Sequence, residues 1–180
     1  MNTLMIDPVS MVVLLLMLAV ASWTDVRHHR ILNVITLGGA AVGVCLQTWM
    51  GGIDGLLAGF GGWTVGLVGL LPLYLLHGMG AGDVKLMAAV GSFLGPANAL
   101  VAVVLSLIVG GLFIGGFILF WRGGVMALLR RWGLMLKTLV LTGTVAYVPP
   151  HPDEAAATRF PYAIAISAGA VATLIWPNWF

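Results

Sequence analysis

Asp25 and Asp83 are the residues of this chain whose type and setting could do chemistry. Only 8% of the 180 residues are charged, and both aspartates border apolar runs, where an ionisable side chain is costly and is usually kept for a function. Two carboxyls brought together cannot easily both ionise, so one keeps a proton while the other is charged. The charged member can take a proton from water, and the protonated one can donate to an amide carbonyl oxygen as that carbon becomes tetrahedral. Amide hydrolysis is the reaction such a pair serves without a metal. Two other readings remain: a small proton-coupled transporter in which the carboxyls relay ions, and a noncatalytic membrane component of a secretion machine.

The neighbours of the two aspartates extend this reading. Asp83 closes the run Gly80-Ala81-Gly82-Asp83, in which Gly80 and Gly82 allow positive φ angles and the close approach of another backbone. A substrate strand could lie against that turn; alternatively, Asp83 is the N-cap of a helix start. Lys85 is two positions on, a spacing that does not share a helix face with Asp83, and serves either as an interfacial anchor or as a site residue. Asn33 either caps the second span or orients Asp25. His28 and His29, beside Arg27 and Arg30, suit lipid headgroups, and His77 precedes the glycine turn. Cys45 is the single cysteine, so an intramolecular disulfide and a cysteine zinc site are excluded. Neither a metal nor a cofactor is expected.

The elements that must position these residues follow from composition. With 61% hydrophobic residues, the chain cannot be a water-soluble globule. Its apolar stretches are continuous, not alternating, and its 25 glycines permit close helix packing, so the fold class is all-α, a polytopic membrane helix bundle. The apolar runs are 8–23, 31–50, 53–76, 84–94, 97–121 and 160–177, which gives about six transmembrane helices. At ~1.5 Å per residue the fourth run covers about half of a ~30 Å hydrocarbon core. It is therefore short or broken: a half-span, or a helix that continues across Gly95-Pro96 with a kink.

Orientation follows from the basic residues. With the N-terminus outside, the inside segments hold Arg27, Arg30, Lys85, Arg122, Arg130, Arg131, Lys137 and Arg159, which account for all 8 lysines and arginines. The outside segments carry Asp7 and Asp54 and no basic residue, a partition that places the basic loops in the cytoplasm. The net charge of +2 is thus a topology signal, and no nucleic-acid partner is expected. Ala19-Val20-Ala21 fits a leader cleavage pattern, but the basic start of a secretory signal is missing, so no removal is expected. The chain reads as a single membrane-embedded domain over 1–180. Its cytoplasmic loop, 123–158, carries Val125, Leu128, Leu129, Trp132, Leu136 and Leu139 at helical spacing among Arg130, Arg131 and Lys137, the pattern of an interfacial amphipathic helix on the lipid bilayer.

This topology brings Asp25 and Asp83 to the same membrane face. Asp83 opens a helix, where the macrodipole favours negative charge, whereas Asp25 ends one, where it does not. On that argument Asp83 is the carboxylate and Asp25 the acid.

The sequence resembles the type IV prepilin peptidases, membrane aspartyl proteases of the Gly-x-Gly-Asp class, and among them the short form of tight-adherence (Flp-type) pilus systems. Gly80-Ala81-Gly82-Asp83-Val84-Lys85 matches the Gly-x-Gly-Asp-x-Lys motif residue for residue. Asp25 followed by Ile31-Leu32-Asn33 looks like the second signature, an aspartate before Ile-Pro-Asn, with leucine in place of proline. Arg159-Phe160-Pro161-Tyr162-Ala163 resembles the proline-aromatic start of the family's last span. The resemblance implies catalysis by Asp25 and Asp83, a site shaped by Gly80, Gly82, Lys85 and Asn33, and a prepilin or pseudopilin precursor as substrate. It further implies a bacterial inner-membrane location with the site facing the cytoplasm, and pilus assembly machinery as a partner. Long members also N-methylate the new pilin terminus through a cysteine-paired cytoplasmic domain; this chain lacks those cysteines, so methylation is not implied.

Overall fold

The computed structural model of the chain describes residues 7–76, 78–120, 133, 134, 137, 141 and 161–175, the side chains of 117–120 excepted. Among the described residues there are four helices and no strand: α1 (Pro8–His28), α2 (Asn33–Leu75), α3 (Ala81–Phe120) and α4 (Ala163–Ile175). The first three are long and apolar enough to cross a membrane, and α4 is an apolar helix of 13 residues. Met1–Gly110 with Pro161–Phe180 forms one compact unit, and Gly111–Phe160 forms another. In the second unit α3 runs on to Phe120, and Gly133, Leu134, Lys137 and Leu141 are helical and exposed. The rest of the expected interfacial helix and linker, and His77, lie outside the described residues.

The start of α1 is set by its first residues. Asp7 is the N-cap and accepts the Val9 N–H through Oδ2 at 3.0 Å, and Pro8 fills the first helical position, where its missing N–H costs nothing. The helix outlasts its apolar run and stops at His29, which takes the left-handed conformation (φ 48°) and donates its N–H to the Asp25 carbonyl at 2.8 Å. Asp25 therefore lies in the last turn of α1, not beyond it. Leu14, Leu18, Ala21 and Asp25 recur at steps of three and four, so the carboxyl shares the buried face of the helix.

The six apolar runs do not appear as six separate helices. Two of the expected boundaries fall inside α2 and α3, at single glycines with non-helical backbone: Gly52 (φ 59°, ψ −131°) and Gly95 (φ 75°, ψ 171°). Positive φ is open to glycine with little penalty, which is why the chain can turn there. At Gly52 α2 folds back on itself. Gly55 lies against the Gln47 carbonyl, and a Cβ built on Gly59 would lie 3.2 Å from the Val44 Cα. In a straight helix residues eight apart are about 12 Å apart. α3 does the same at Gly95-Pro96, where a Cβ on Gly91 would lie 3.3 Å from that of Ala99. The fourth apolar run is accordingly not a free half-span but the first part of a kinked α3.

That first part is the centre of its unit. Val84, Leu86, Met87, Ala88, Ala89, Val90, Phe93 and Leu94 are all buried, as expected of a helix that is apolar on every side. Lipid offers no hydrophobic drive for helices to associate, so close packing must hold them together. Glycines supply it: Gly62 meets the Gly91 backbone and Gly66 the Met87 carbonyl, with no room for a side chain on either. The buried hydroxyls of Thr36, Ser92, Ser106 and Thr173 donate to carbonyls of their own helices and leave no donor unmet. Asp83 stands at the open end of this central segment.

Candidate active site

Three helix ends build the site. Asp25 comes from the last turn of α1, Asp83 from the first turn of α3, and the start of α4 packs beside Asp25. α1 is the adaptor, since it packs against both α2 and α4.

Asp25 is 7% exposed. Its Oδ2 accepts the backbone N–H of Ala163, the first residue of α4, at 3.1 Å. The first N–H groups of a helix have no partner within it, so this donor is free to serve a carboxylate. One turn along, the hydroxyls of Ser22 and Ser167 pair at 2.8 Å and tie the same two helices. His29, just beyond α1, adds its electrostatic influence on Asp25.

Asp83 is half-buried and is the third residue of α3, not its N-cap. Its Oδ2 accepts the Gly80 N–H at 3.1 Å while its own N–H donates to the Gly80 carbonyl at 3.2 Å. This is the returning half of a capping box, in which a side chain in the first turn satisfies the cap residue's N–H. Asp25 lies within electrostatic reach of Asp83, and Asp83 within that of Tyr162.

The residues expected to shape the site gather on the same end. Ile31, in the link between α1 and α2, sits over Gly82: a Cβ there would lie 3.2 Å from the Ile31 Cβ. Lys85 Nζ donates to Asn33 Oδ1 at 3.0 Å. Asn33 therefore neither caps α2, whose N-cap is Leu32 without a side-chain bond, nor bonds to Asp25 in place of Ala163. Neither Gly80 nor Gly82 takes positive φ; among the described glycines only Gly52 and Gly95 do. The smallness of Gly82 serves a close approach, not a turn.

The dipole asymmetry expected between the aspartates is offset. α1 presents its carbonyl end to Asp25, but α4 presents its N–H end to the same carboxyl, so each aspartate faces a helix start. Sequence reasoning missed Ala163 because the group involved is a main-chain N–H, and missed Tyr162 as a site neighbour. The signal that could have found them is Pro161 ahead of an apolar run, which marks a helix start. Among the described residues no three His, Cys, Asp or Glu side chains converge as metal ligands would.

In comparisons with known proteins, the model of the type IV leader peptidase family matches residues 12–115. This segment holds Asp25, the Ile31-Leu32-Asn33 link and the whole Gly80 to Lys85 motif. No curated protein and no solved structure gives a significant match.

Proposed function

The chain belongs to the type IV leader peptidase family, and from that premise we propose that it is an aspartic-type endopeptidase. It removes the short leader from type IV (Flp-like) prepilins or pseudopilins at the cytoplasmic face of the bacterial inner membrane. The observation that carries the proposal is that Asp25 and Asp83 are each held by a helix-start N–H, with Asp25 within electrostatic reach of Asp83.

The chemistry follows from two carboxyls sharing a proton. The ionised one removes a proton from water, and the water oxygen bonds to the scissile carbonyl carbon. The protonated one gives its proton to the carbonyl oxygen, yielding a neutral tetrahedral diol. The carboxyl that took the water proton then gives it to the amide nitrogen while the other takes a proton from a diol hydroxyl, so the carbon–nitrogen bond breaks, the leader leaves with a new carboxyl terminus and the remaining chain with a free amine. Both residues touch reacting atoms and are the catalytic pair. Gly82 lets the Ile31 link close over the motif, Gly80 holds Asp83 through its N–H, and the Lys85–Asn33 bond fastens the two signature segments to each other.

The location suits the substrate. A prepilin has a basic leader in the cytoplasm and an apolar helix in the bilayer, so its scissile bond lies at the inner interface. The distribution of lysine and arginine supports the same face for the end of α1 that bears Asp25. Pilus assembly machinery is the setting in which the mature product is used.

Membranes carrying the wild-type chain, Asp25→Asn or Asp83→Asn are incubated with a labelled prepilin, and the mature N-terminus is read by mass. Cleavage by wild type alone is the expected result. Equal processing by either variant would remove the proposal in favour of a transporter or scaffold.

A further inference from the structure

We propose that Tyr162 is a positioning residue for Asp25, acting through the single peptide plane that joins Tyr162 to Ala163. The inference deepens the peptidase reading and rests on it for its kinetic consequence.

Tyr162 immediately precedes α4. Its carbonyl accepts the Ile166 N–H at 3.1 Å, a bond of the first turn of that helix. The other side of the same peptide plane is the Ala163 N–H that reaches Asp25 at 3.1 Å. A planar peptide moves as one body, so whatever fixes Tyr162 aims the donor.

The side chain of Tyr162 is fixed on α3. It is 7% exposed, its hydroxyl donates to the Ser106 carbonyl at 3.1 Å, and its ring occupies the space over Gly110, where a Cβ would collide with it. Ser106 belongs to the helix that begins beside Asp83. Tyr162 thus links the helix of one aspartate to the hydrogen-bond donor of the other. A buried tyrosine usually finds some partner for its hydroxyl, and if that were its whole role, removing the hydroxyl would change stability without touching Asp25.

Two replacements separate these roles in the full-length protein. Tyr162→Phe keeps the ring and removes the tie to Ser106; Gly110→Ala keeps the hydroxyl and displaces the ring. The infrared difference between each protein and its Asp25→Asn counterpart isolates the carboxyl vibrations of Asp25. Both replacements are expected to shift that band relative to the wild-type difference spectrum, as a hydrogen-bond donor lengthens or leaves. With prepilin as substrate, kcat should fall about tenfold and KM should change less than twofold, the loss of one weakened charge-assisted hydrogen bond in the transition state. An unshifted Asp25 band in either folded variant overturns the inference, whatever happens to thermal stability. A shifted band in a protein that cleaves no prepilin, wild type included, upholds the positioning role and refutes the peptidase reading instead.

Discussion

Lys85 Nζ and Asn33 Oδ1 stand 3.0 Å apart, although 52 positions separate them in the chain. The bond fastens the start of α2 to the start of α3, and with Ile31 over Gly82 it gives the two signature segments a second point of contact. A charged donor on a neutral acceptor is a stronger tie than a neutral pair, but here it is exposed and screened by water.

Lys85→Met and Asn33→Ala should each reduce prepilin cleavage several-fold. In the double variant the losses should not add, with a coupling of about 0.5–1 kcal/mol, in the range of an ordinary hydrogen bond. A double-mutant cycle on kcat/KM measures this. Full additivity would show that the two residues act separately.

Asp25→Asn and Asp83→Asn should each lower kcat by about 10²–10⁴-fold, the range of a positioned acid or base. The double variant should be scarcely worse than either single one, because residues that act as a unit are not additive. Single-turnover cleavage of purified precursor provides the comparison.

Gly82→Ala should impair cleavage, since its Cβ would crowd Ile31 at 3.2 Å, tighter than ordinary contact. Shortening the facing residue in Gly82→Ala with Ile31→Ala should recover part of the activity. Failure of the second change to help would show that Gly82 is needed for something other than space.

Gly62→Ala should lower thermal stability in detergent by about 2–4 kcal/mol, the range of severe overpacking, because its Cβ would overlap the Gly91 backbone. Gly51→Ala is the control: apart from its chain neighbours and the adjoining turn of its own helix, no atom lies within 4 Å of its Cβ position, and its effect should stay within about 0.5 kcal/mol. Equal unfolding temperatures for the two variants would contradict the close helix contact.

The two carboxyls of the candidate site were more legible than the groups that hold them. Asp25 and Asp83 stand out because a carboxyl among apolar residues has few innocent explanations. Glycine was legible as punctuation at 52 and 95, yet one letter covers two uses. Gly80 and Gly82 were open to positive φ and to close approach alike; Gly82 serves close approach, and positive φ occurs where the helices fold back. Six apolar runs do not correspond to six separate helices for the same reason, since a helix can fold back at one glycine without the polar loop that marks a boundary in sequence. The Ala163 N–H left only an indirect mark, Pro161 ahead of an apolar run: every residue except proline has such a group, and only the fold selects one. Asn33 kept two candidate partners in sequence and has a third in the structure, because a side chain of that length is placed by packing and not by its neighbours in the chain.

The Ala163 N–H lies 138 residues after the carboxylate it serves. During synthesis Asp25 therefore leaves the ribosome well before its donor does. A nascent chain halted ahead of Pro161 would already carry both aspartates, but with Asp25 lacking that partner.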